Sequence, residues 1–80
     1  MEGARFEPTG ARHEVVDGPL NLRNGSGLDA PVIRSLPTGT IIVIADASFT
    51  TVDGYTWMQV YLEDSPSVRG WVAKGFSVEI

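Results

Sequence analysis

The chain predicts an all-β fold, a small barrel of short strands, and three observations carry that prediction. Apolar residues come in short alternating or clustered runs that end on turn formers, as where Leu20-Asn21-Leu22-Arg23 meets Asn24-Gly25-Ser26-Gly27. No segment keeps a helical period over a useful length, because proline and glycine interrupt it too often. All of these runs fall within 80 residues, the size of one domain. Closing such strands into a barrel removes the edges that a flat sheet would leave open.

Taken in order, residues 1–12 hold one large apolar side chain, Phe6, among Gly, Pro and charge, and read as a flexible leader or linker end. The domain proper spans residues 13–80. Val15-Val16 begins a strand that Asp17-Gly18-Pro19 interrupts, and Leu20 and Leu22 mark the next. Val32 to Leu36 is extended, then Pro37-Thr38-Gly39 makes a turn, with proline pre-set for its first corner. Thr40 to Ala45 is the strongest strand, β-branched almost throughout. Asp46 to Gly54 reads as a polar loop around Phe49 and Val52, and Tyr55 to Glu63 as a strand. A long connection from Glu63 to Arg69 leads into Gly70 to Ala73, and Phe76 to Ile80 closes the chain. A single 3₁₀ turn fits near Ala73 to Phe76.

Composition narrows the function. With no cysteine, neither a disulfide nor a zinc-thiolate site is available, so the 42% of hydrophobic residues must supply the stability. A chain this short buries only roughly 60% of the surface its unfolded form exposes. Six Lys and Arg stand against ten Asp and Glu, with the cations scattered. Nucleic-acid binding and anionic-membrane binding both call for a clustered basic face, which this sequence does not have. The longest apolar run, Ile41 to Ala45, is too short to cross a bilayer. Met1-Glu2-Gly3 lacks the cationic start and apolar run of a secretory leader.

The segments LNLRNGSG, VIRSLPTGTIIVI, GYTWMQVYLED and GWV, in that order and followed by a closing strand, resemble the bacterial SH3-like domain. The likeness covers roughly His13 to Ile80. It implies an SH3-like barrel of roughly five to seven short strands. It further implies an accessory module of a bacterial envelope or extracellular protein, used for targeting or scaffolding, with peptidoglycan peptides among the ligands. Eukaryotic SH3 signatures for polyproline, with their stacked aromatics, are absent. Two departures stand out. One is the long Glu63–Arg69 connection. The other is that Ile41 and Val43, expected outside the barrel, are apolar like the inward Ile42 and Ile44.

A strand apolar on both faces is usually covered on both. Ile41 and Val43 therefore mark a second packing surface, for a partner domain, a second copy in a homodimer, or the folded-back leader with Phe6. A loop such as Ser48 to Val52 draped over them is the plainer reading. In the following strand, Met58, Val60 and Leu62 share one face, and Tyr55, Trp57, Gln59 and Tyr61 the other. With the aliphatic set inside, Tyr55, Trp57 and Tyr61 form an aromatic strip suited to a peptide or glycan. Equally, Trp57 and Tyr61 seal the barrel ends. Arg23 and Asn24 sit where a glycine-rich loop offers donors to a ligand carboxylate, or simply turns the chain. Trp71 reads as structural.

Catalysis finds little support. The one histidine, His13, lies at the fringe of the fold and reads as a surface residue, and no motif joins Ser26 or Ser35 to a His-Asp pair. No calcium-loop spacing appears, and Gly25-x-Gly27 opens no helix, so neither a metal nor a nucleotide cofactor is expected. The expectation is a non-catalytic binding module. The competing expectation is an interaction domain that packs on its parent or on itself through Ile41 and Val43.

Overall fold

The computed structural model describes residues 10–80, apart from the side chains of residues 47 and 48. Seven strands occur among these residues: β1 (Arg12–Val15), β2 (Leu20–Arg23), β3 (Val32–Leu36), β4 (Ile41–Val52), β5 (Tyr55–Leu62), β6 (Ser65–Ala73) and β7 (Ser77–Glu79). They form one antiparallel sheet in the order β3-β2-β6-β5-β4-β1-β7. Val15 of β1 and Leu36 of β3 are five places apart in that order, yet share a single core with Leu22, Ile42, Ile44, Met58, Val60 and Val72. Backbone bonds extend the β1–β4 pairing as far as the β3–β4 turn: Val15 N donates to Thr40 O (2.9 Å), and Gly39 N donates to Val15 O (2.7 Å). The sheet is thus coiled on itself, the all-β, barrel-like fold that the sequence predicts.

Alternation selects the core. Met58, Val60 and Leu62 point inward from β5, as do Ile42 and Ile44 from β4 and Leu20 and Leu22 from β2. Each such burial stabilises by about 1.5–3 kcal/mol relative to exposure. Gly70 matters through what it lacks. A Cβ there would overlap the carbonyl oxygen of Arg23 and press on Ile33 Cδ1 and Leu22 Cδ1, each at 3.2 Å. The close crossing of β2 over β6, which pair at Arg23 and Trp71, therefore requires glycine.

Three boundaries differ from those predicted. The fold takes in residues 10–12: Ile44 N donates to Ala11 O (2.9 Å), Gly10 N to Ile44 O (3.3 Å), and Arg12 opens β1. The rest of the predicted leader, Phe6 included, lies outside the described residues. The predicted loop from Asp46 to Gly54 is mostly strand, since β4 continues to Val52. Irregularities between Ile44 and Asp46 and between Asp46 and Thr50 break its alternation, which is why the sequence reads as a loop there. The long Glu63–Arg69 connection is a two-residue turn, because Leu62 already pairs with Ser65. Pro66 is tolerated in β6 because β2 pairs with β6 only farther along, at Trp71, so no ladder bond to β2 is lost.

The predicted outer surface at Ile41 and Val43 also needs correction. Val43 is only 5% exposed, and Ala45 beyond it is buried as well. The register sets Arg12 and Tyr61 on either side of Val43, on the outer face. The Arg12 guanidinium is held there by the Glu63 carboxylate, with Nη2 donating to Oε1 at 3.0 Å. Val43 is thus covered by its own chain and unavailable to a partner. Ile41 is half-buried and lines a shallow cleft with Leu36, Pro37 and Leu62.

Candidate functional site

The β4–β5 hairpin builds one side of the site. Its turn is Asp53-Gly54, both with positive φ (56° and 81°), the pairing that lets a two-residue turn follow the twist of its strands. The β2–β3 loop is drawn onto this turn, with Leu28 N donating to Asp53 Oδ2 at 2.9 Å. Arg23 holds the loop from the other side, its Nη1 donating to Leu28 O (3.0 Å) and Ala30 O (2.9 Å). Asn24 N donates to Pro31 O (2.9 Å) and closes the loop's base.

Between loop and hairpin runs an open groove of about 200 Å³. Trp57 and Ala73, directly paired across β5 and β6, lie in its floor beside Leu20. Trp57 is 2% exposed, and its indole N–H is taken by Val52 O at 2.9 Å. Tyr55 meets Trp57 edge-on (centroids 6.1 Å apart, 60°) and leans on Phe76 (6.5 Å, 39°), so the three rings form a continuous aromatic wall. Leu28 rises opposite as an exposed apolar side chain. Arg23 and Asp17 also line the groove, and neither has an oppositely charged partner among the described residues. With Nη1 committed to the loop, the guanidinium retains Nε and Nη2 as donors. A groove with rigid rings along it, plus one cation and one carboxylate, can hold a short polar chain and orient its ends.

Of the residues singled out from sequence, Arg23, Tyr55 and Trp57 come together here. Tyr61 does not: it is half-buried beside Val43 on the outer face, and irregular β4–β5 pairing lies between it and Trp57. Asn24 is exposed but outside the groove, its part being the turn. Trp71 is half-buried in β6, at the crossing with β2. Leu28, Phe76, Asp17 and Leu20 were not singled out. Only Leu28, an apolar residue closing a glycine-rich loop, carries a sequence signal that could have marked it.

His13 is half-buried, with Nδ1 3.2 Å from Ser77 Oγ, and so belongs to the β1–β7 pairing more than to the surface. Ser26 and Ser35 are not its partners. Among the described residues no three His, Cys, Asp or Glu side chains gather as metal ligands. No family model, curated protein or solved structure matches the chain.

Proposed function

We propose that this chain is a non-catalytic binding module of the bacterial SH3-like kind, an accessory domain of an envelope or exported protein that docks on cell-wall peptides. The observation that carries the reading is the groove, where Tyr55, Trp57 and Phe76 face Leu28 with Arg23 and Asp17 beside them. Rings held by packing give contact area at little entropy cost, and the two charges suit the ionised ends or side groups of a short peptide. The resemblance of LNLRNGSG, GYTWMQVYLED and GWV to that family supports the same assignment and supplies the wall-peptide class.

The test is titration calorimetry of the folded chain with stem-peptide and cross-bridge fragments, together with co-sedimentation on purified peptidoglycan. Binding should fall in Tyr55→Ala and Arg23→Gln while both remain folded. The absence of heat and of co-sedimentation for the native chain would refute the reading.

A further inference from the structure

The coiled sheet leaves two edges open, and their chemistry is complementary. β3 ends the sheet on one side and β7 on the other. No backbone hydrogen bond links the outer side of either strand to a described residue. On β3, Val32 is 48% and Ile33 46% exposed, and Arg34 and Ser35 are exposed too. On β7, Val78 is 48% exposed, Glu79 is exposed, and Ile80 just beyond is 55% exposed.

The two charges occupy equivalent places. Arg34 lies directly opposite the core residue Leu22, so it sits on the core-facing side of its strand. Ser77 lies opposite the core residue Val15, and Glu79, two residues on, shares that side. Neither Arg34 nor Glu79 has an ion-pair partner among the described residues. Pairing β3 with itself would set Arg34 against its own copy when the strands are centred, which is unfavourable. Pairing β3 with β7 of another copy sets Arg34 against Glu79, and the same antiparallel register brings Ile33 to Ile80 and Ser35 to Val78. Arg34 and Glu79 then meet on the core-facing side, with Ile33, which the irregular β2–β3 register leaves unpaired, and Ile80 beside them at the seam.

We propose that the chain associates head to tail, β3 of one copy adding to β7 of the next through Arg34 and Glu79. Pro31 and Pro37 bracket β3 and keep the added ladder short. The contact is therefore of the small, transient class, with a dissociation constant of about 0.1–1 mM. Because each copy keeps one edge of each kind, growth does not stop at two copies.

Sedimentation equilibrium of the 80-residue chain, from about 10 µM to about 1 mM, tests this. The weight-average mass should climb from the 8.6 kDa monomer and pass the dimer value without levelling. Arg34→Glu and Glu79→Arg, each folded by circular dichroism, should each weaken association about fivefold or more. The double reversal should restore it, and Tyr55→Ala should leave it unchanged. A constant monomer mass, a plateau at the dimer, or single reversals that associate like the native chain would each overturn the proposal.

Discussion

Trp57 and Val52 are joined by a 2.9 Å hydrogen bond from the indole N–H to the backbone carbonyl, beside the turn of the β4–β5 hairpin. The bond orients a ring that is 2% exposed and forms the groove floor, so one side chain both holds the hairpin and shapes the candidate site. Trp57→Ala should cost about 3–5 kcal/mol in denaturant unfolding. Trp57→Phe keeps most of the packing and loses mainly the bond, worth about 1 kcal/mol. A change within about 0.5 kcal/mol for the alanine variant, as at a free surface, would contradict this placement.

Asp53 joins two functions, turning the hairpin at φ 56° and accepting from Leu28 N at 2.9 Å. Asn tolerates that backbone region and keeps a side-chain acceptor, whereas alanine does neither well. Asp53→Asn should therefore leave the loop docked, and Asp53→Ala should release it. Amide hydrogen exchange at Leu28 is the direct readout: fast in the alanine variant, protected in the asparagine variant, with core strands unaffected in both.

At Gly70 an added methyl meets backbone, which cannot swing aside. Gly70→Ala should destabilise by about 1–3 kcal/mol or more, and the loss should concentrate where β2 crosses β6. Chemical-shift changes centred on Arg23 and Trp71 would confirm it, since those residues form the β2–β6 pair. Unchanged stability would mean that β2 and β6 do not approach closely at Gly70.

The core was legible because period-two alternation survives wherever a strand is half-buried, as in Met58-x-Val60-x-Leu62. The apolar character of Val43 correctly signalled a second covered face, but the pattern could not say that neighbours in the same chain do the covering. Strand continuity past Ala45 was hidden by irregular pairing and by threonines and Asp46, which look like a loop when read locally. In β6, Ser65-Pro66-Ser67 has the composition of a turn, and only its pairing with β5 and the packing of Val68 make it strand. The groove escaped for a different reason. Asp17, Leu20, Leu28 and Phe76 come from separate segments, and only the folded path brings them to Tyr55 and Trp57.

The Arg12–Glu63 pair gives a pH-dependent prediction. Hydrogen bonding from Arg12, with its positive charge adding to the effect and partial desolvation opposing it, holds the Glu63 carboxyl below its ordinary value of 4.5. A carboxyl lowered in the folded state contributes stability that is fully present above its unfolded value and is lost as the pH falls through the folded value. The native chain should therefore have a higher urea midpoint than Glu63→Gln at pH 7. That gap should narrow once the pH drops below about 4.5 and close at lower pH, where both chains carry a neutral group. Both partners are exposed, so the effect is small, and added salt at pH 7 should shrink it as well. A gap that persists unchanged in strong acid would show that Glu63 acts through packing over Val43 instead of through its charge.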